Sequence, residues 1–211
     1  MLQTRGFLIV VSGPGGVGKN TLINAVLPRM PELLYSVSAT TRPPRPGEVE
    51  GKDYFFRTPE QFQAMIEGGE LLEWAEFCGH RYGTPRAFVD QALAAGRSVI
   101  TDIDIQGAAQ IRRNMPEGVF VFLIPPTIEE LRRRLEQRGA DSQARVAQRL
   151  DAAAVELQAI GEYDYFVVND DIAQGADRLM AIIAAERCRI DRSDYRTLLN
   201  DFSTHFHKGV T

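Results

Sequence analysis

The sequence predicts an α/β fold built on a parallel β-sheet. Three observations carry this. Short apolar runs alternate with helical patterns along most of the 211 residues, the first run ends in a glycine-rich loop, and two stretches interrupt the alternation. A chain of this length buries about 70% of its unfolded surface, enough for a large core without disulfide or metal staples.

In order, Phe7-Leu-Ile-Val-Val-Ser12 is continuously apolar, as a strand buried on both faces requires. A helix is expected from Lys19 to about Leu27, stopped by Pro28 and Pro31. Ser98–Asp104, Val119–Ile124 and Tyr163–Val168 read as further buried strands. Helical patterns run from Pro85 to Ala95, from Gly107 to Met115 and from Ala173 to about Arg192. The first interruption, Tyr35 to Thr84, reads as an inserted subdomain. It holds one small helix, opened by the capping box Thr58-Pro-Glu-Gln61, with Phe62, Met65 and Ile66 as its apolar face. The second, Thr127 to about Ile160, holds two helices. Thr127-Ile-Glu-Glu130 is a capping box, Gly139 is expected to end that helix, and Asp141 or Ser142 to cap the next. Val146, Leu150, Ala153, Leu157 and Ile160 form one buried stripe on the later helix, with Arg145 and Arg149 one turn apart beside it. The tail after Arg192 is not assigned.

Hydrophobic residues are 44% and charged residues 25%, the balance of a soluble globular protein. The net charge of −4 argues against a protein that coats nucleic acid or anionic membrane. No apolar run approaches a membrane span, and only five apolar residues follow Met1–Gly6, so no signal peptide is expected. Cys78 and Cys188 make no disulfide framework and no ligand cluster; reduced thiols and a cytoplasmic location are expected. His80, His205 and His207 read as surface residues. Lysine occurs only at 19, 52 and 208, so arginine supplies 21 of the 24 cations and clusters at 132–134, 138, 145 and 149.

Gly13-Pro-Gly-Gly-Val-Gly18-Lys19 follows the first strand and opens the first helix. Its glycines let backbone N–H groups curl inward around an anion, and the helix N-terminus adds positive potential. Lys19 then reaches the outer phosphates of a nucleoside triphosphate. The pattern asks next for a hydroxyl on Mg²⁺, and here stands Asn20. Three arrangements stay open: an amide-oxygen ligand, water and carboxylate alone, or an inward shift of Thr21. Asp102 and Asp104 end the expected Ser98–Asp104 strand, where a parallel sheet presents ligands with its C-terminal edge; a carboxylate there holds Mg²⁺ or its waters.

The insertion points to a second phosphate. Ser38-Ala-Thr-Thr-Arg42-Pro-Pro-Arg45 leads on to Tyr54, and guanidinium forks with a phenol suit a phosphate monoester. Glu73 to Thr84 adds a carboxylate, Tyr82 and a hydroxyl.

From about Phe7 to Arg189 the chain resembles the bacterial guanylate kinases. Ser12–Leu22, Ser38–Tyr54, Glu73–Thr84, Asp102–Gly107, Arg134–Arg149 and Val168–Asp171 carry the resemblance, in that order. It departs at Gly15, often serine in the family, and at Asn20, usually serine or threonine. The resemblance implies a P-loop kinase core with a GMP-binding insertion and a helical lid, in one domain over 1–211. The core covers about 1–34, 85–126 and 161–192, the insertion about 35–84 and the lid about 127–160. It further implies phosphoryl transfer from ATP to GMP with Mg²⁺, small-molecule substrates only, and a homo-oligomer allowed but not required.

Carried across, Gly13, Pro14, Gly15, Gly16, Val17, Gly18, Lys19, Asn20 and Thr21 hold ATP, with Asn169 near the adenine. Arg42, Arg45, Tyr54 and Tyr82 grip the GMP phosphate, while Ser38, Glu73, Thr84 and Asp104 read guanine. Lys19, Arg134, Arg138 and Arg149 act on the transferring phosphoryl, and Asn20 and Asp102 attend the metal. The chemistry agrees: guanine presents N1–H beside an exocyclic amine, which one carboxylate accepts together, whereas adenine has a lone pair at N1. Two rivals are weighed against this. A phosphopeptide-docking module of the same ancestry needs neither Lys19 nor paired lid arginines, and a kinase acting on a sugar phosphate needs no Glu73.

Overall fold

The computed structural model describes residues 5–137 and 143–208. Nine strands form two sheets. β1 (Leu8–Ser12), β2 (Leu34–Tyr35), β7 (Val99–Asp102), β8 (Val119–Ile124) and β9 (Tyr165–Val168) make a five-stranded sheet in the order β2-β7-β1-β8-β9. All its pairings are parallel. Between β2 and β7 in the chain, β3 (Ala39–Thr40), β4 (Phe55–Phe56), β5 (Leu71–Phe77) and β6 (His80–Pro85) build a second sheet in the order β4-β3-β6-β5.

The central strand explains its own composition. Phe7, Ile9 and Val11 pack with α1 (Lys19–Val26) and α7 (Ile172–Arg187) through Leu22, Ile23, Val26, Leu179 and Ile183. Leu8 and Val10 face the other way, onto α3 (Arg86–Ala94) and α4 (Ile105–Asn114) through Val89, Ala92, Ala108 and Ile111. With both faces covered, alternation has nothing to specify and the run is apolar throughout. The small helix of the second sheet, α2 (Pro59–Glu67), begins at a complete capping box: the Thr58 hydroxyl accepts from Gln61 N–H and the Gln61 side chain accepts from Thr58 N–H.

α5 (Ile128–Gln137) and α6 (Gln143–Leu157) share a small core of Leu131, Leu135, Val146, Leu150 and Ala153. Three expectations change here. Only half of the Thr127–Glu130 box forms, because the Glu130 carboxylate turns to Arg133 and Arg134. Ile160 leaves the stripe: α6 stops at Leu157, the chain tightens into a 3₁₀ turn over Gln158–Glu162, and the tighter winding carries Ile160 to 37% exposure. Gly139, Asp141 and Ser142 lie outside the described residues.

The strand expected to Asp104 ends at Asp102, since the Asp104 side chain instead accepts from Gly107 N–H and caps α4. The last expected helix ends at Arg187, and a short 3₁₀ turn follows at Ile190–Arg192. The tail forms α8 (Tyr195–Lys208). Arg192 ties the segment before it to the core, stacked 4.3 Å over Phe7 and bonded to the buried Glu186. Among the described residues no helix is long and apolar enough to cross a membrane.

Ile183 is fully buried between α7 and the sheet. Ile183→Ala should cost about 2–5 kcal/mol, from lost transfer energy plus the cavity left behind. A urea titration followed by circular dichroism reads this as a lower midpoint with an unchanged slope.

Candidate active site at the end of the parallel sheet

β1 runs out at Ser12 at the C-terminal edge of the sheet, and the glycine loop turns from there into α1. Its carbonyls are held from outside. Lys19 Nζ donates to the Gly13 carbonyl at 2.7 Å and the Pro14 carbonyl at 3.4 Å. The Val17 carbonyl accepts from Asn169 Nδ2 at 2.7 Å and from Arg134 Nη1 at 3.2 Å. Gly18, at φ 97°, lets Asn169 come this close, for a Cβ there would stand 2.7 Å from Asn169 Nδ2.

Arg134 also donates to the Asn169 carbonyl at 2.8 Å and to Glu130 at 2.7 Å, so it is docked on the loop rather than waiting to close over it. Gly16, Gly18, Thr21, Arg134 and Asn169 share a recess of about 430 Å³ on this side. Gly15 N–H donates to the Glu156 carboxylate of α6 at 3.1 Å. Arg149 is half-buried on the same helix. Arg138 lies outside the described residues.

Asp102 is the register partner of Val11, which sets its carboxylate beside the start of the loop. From there a cleft of about 760 Å³ opens toward the second sheet, lined among others by Asn20, Ser38, Tyr54, Glu73, Tyr82, Asp102 and Asp104. Asn20 therefore faces the cleft, and Thr21 faces the recess. Glu73 lies on the cleft face of β5; Thr84 is buried behind it and donates to it at 2.7 Å. Tyr54 and Tyr82 meet edge to face at 5.9 Å. Arg42 stacks 5.3 Å from the Tyr54 ring and bonds both Glu48 oxygens, at 2.7 and 2.9 Å. Glu48 also accepts from Arg45 N–H at 2.7 Å, while the Arg45 residue is exposed. A larger cavity of about 850 Å³ lies between the end of α3 and the start of α8, at the opposite edge of the sheet from the glycine loop.

Glu73 is the electrostatic centre of the cleft. It is 6% exposed, and a Cβ on Gly107 would stand 2.9 Å from its Oε2, so α4 can approach only with glycine there. Burial pushes its carboxyl up to about 7; the Asp104 charge adds to the rise and the Thr84 bond opposes it.

A family model described as Guanylate kinase matches residues 5–186. The chain belongs to the guanylate kinase family. It is 52% identical over 195 residues to the guanylate kinase of Desulfitobacterium hafniense (strain Y51), covering 92% of this chain and 98% of that one. The guanylate kinase of Lactococcus lactis is 50% identical, with 90% and 93% covered. The crystal structure of guanylate kinase from Anaplasma phagocytophilum superposes with a TM-score of 0.75 at 38% identity, covering 94% of this chain and 96% of that one.

In this member of the guanylate kinase family, sequence reasoning passed over three site residues. Glu48 was signalled by its spacing, three and six residues from Arg45 and Arg42, on one turn. Tyr35, which lines the cleft, and Glu156, which reaches the loop from α6, left no local signal.

The folded state holds the Glu73 proton more tightly than an unfolded chain, whose glutamate titrates at 4.5. The resulting stability is present below that pH and is lost as pH rises through about 7, on the order of 3 kcal/mol in all. Glu73→Gln should therefore raise the urea midpoint at pH 8, by roughly 1–3 kcal/mol, and leave it nearly unchanged at pH 5. Equal effects at both pH values would contradict the buried-charge account.

Proposed function

We propose that this chain transfers the terminal phosphoryl group of ATP to GMP, and to dGMP, yielding ADP and GDP. One observation carries the reading: a glycine loop opening a helix shares a sheet edge with a cleft floored by the buried carboxylate of Glu73. Glu73 accepts from guanine N1–H and the exocyclic amine, with Asp104, Ser38 and Thr84 completing the reading of the base. Arg42, Arg45, Tyr54 and Tyr82 hold the GMP phosphate, and the Glu48 bonds that fix Arg42 support their preorganisation. Residues Gly13–Thr21 cradle the triphosphate. Arg134 and Asn169 brace the loop beside the adenine recess, which deepens the lid role inferred for Arg134.

The reaction is a direct in-line displacement. A GMP phosphate oxygen bonds to the γ-phosphorus of ATP, the β–γ bridging bond breaks, and ADP leaves with the electron pair. Lys19 and Arg149, joined by Arg138, neutralise the spread charge, and closure of the α5–α6 pair excludes water.

The donor set fits Mg²⁺ delivered by the nucleotide. Asp102 offers an oxygen at the strand end and Asn20 an amide beside it, and among the described residues no group of three or more acidic, histidine or cysteine side chains could hold a metal. The ion, when bound, screens charge between the β- and γ-phosphates. Net charge and cysteine usage support a cytoplasmic enzyme working on small molecules, and self-association is compatible with it.

ADP release assayed against GMP, dGMP, AMP, CMP and UMP tests the reading: GMP should be used at least 10³-fold more efficiently than AMP. Equal turnover of GMP and AMP would sink it. Because guanine needs the ionised Glu73, kcat/KM for GMP should fall as pH drops below about 7.

Arg149→Ala should lower kcat by roughly 10²–10³ with GMP binding nearly intact. A variant that loses GMP affinity at unchanged kcat would overturn the division into insertion and lid.

A further inference from the structure

Tyr35 closes β2, the two-residue edge strand from which the chain leaves for the second sheet. In the parallel register Tyr35 faces Ile100, two residues before Asp102. Two residues of strand advance the chain roughly 6.6 Å, which is the reach of a tyrosine side chain leaning along it. The phenol spans this gap and donates to Asp102 Oδ1 at 2.6 Å, the length of a bond between a hydroxyl and a charged carboxylate. Serine or threonine at 35 would fall short of Asp102, and phenylalanine would fill the space without bonding.

The contact has a defined consequence for the carboxylate. One Asp102 oxygen is taken, and the other accepts no hydrogen bond among the described residues and belongs to the cleft that Asn20 also lines. Burial, and then the Asp102 charge, hold the Tyr35 hydroxyl well above its ordinary pKa, so it stays a donor across the working range of pH. The ring itself is anchored, packed against the main core between the sheet and α1. Just beyond it, Ser36 N–H donates to the Ile100 carbonyl at 2.9 Å, tying the root of the insertion to the same strand.

We propose that Tyr35 is a positioning residue for Asp102, holding one carboxylate oxygen so that the other faces the metal–nucleotide shell before ATP arrives. This rests on the reading of Asp102 as the carboxylate that attends Mg²⁺. Tyr35 touches neither the reacting phosphorus nor the base; it acts through Asp102. Partners behind a metal-attending group fix its orientation, and losing one weakens metal affinity by roughly tenfold or more.

The test is calorimetric binding of a non-hydrolysable ATP analogue to the full chain, once with Mg²⁺ and once with chelator. The ratio of the two affinities isolates the metal-dependent part. Tyr35→Phe keeps the ring, and its urea midpoint verifies that it folds. It should reduce that ratio by roughly tenfold, with the metal-free affinity unchanged. Asp102→Asn should collapse the ratio, and adding Tyr35→Phe to it should change nothing further, because the phenol acts only through that carboxylate. A wild-type ratio in Tyr35→Phe overturns the role of Tyr35 alone, as does a full second loss in the double variant. A wild-type chain that binds the analogue equally with and without Mg²⁺ overturns the Asp102 reading and this one together.

Discussion

A phosphate loop must keep its backbone N–H groups free for an anion, and that requirement organises the rest of this structure. Free donors stay aimed only if the carbonyls between them are bonded elsewhere. Lys19 takes the carbonyls at the start of the loop, and Asn169 and Arg134 converge on Val17 near its end. Asn169 reaches it because β9 runs parallel beside β8 and stops at the same edge. Arg134 reaches it because the shared apolar core of α5 and α6 sets the helix that carries it. The loop is thus a joint between sheet and helical pair, and Glu156 shows one N–H already engaged by an anion from the second helix.

A second tension lies in the cleft. Glu73 is buried next to another acid, so its charge is costly in the folded chain, and its pKa near 7 expresses that cost. The same desolvation makes the ionised carboxylate a strong acceptor once a donor edge enters. Stability and recognition therefore pull in opposite directions at one residue. Gly107 and Thr84 mark how the fold accommodates it, the first by leaving room and the second by donating.

Local chemistry made several elements legible from sequence. The Thr58 box formed in full because both of its partners lie within one turn. The continuous apolar run before the loop became the strand covered on both faces. Asp104 shows where such reasoning slips: an aspartate followed three residues later by a helical glycine competes for the backbone, and capping won over strand extension. Ile160 slipped because a change of helical winding is invisible in a periodic pattern.

Residue types at short spacing thus determined the sheet, the loop and the family resemblance, since backbone preference and phosphate chemistry act within a few residues. Only the tertiary structure decided which distant groups meet. Val11 and Asp102 are brought together by strand register across 91 positions, Tyr35 and Asp102 by the reach of a phenol along two residues of strand, and Glu156 and Gly15 by helix packing. Each such contact depends on relative placement of elements, which arises from packing the whole core and is encoded at no single site.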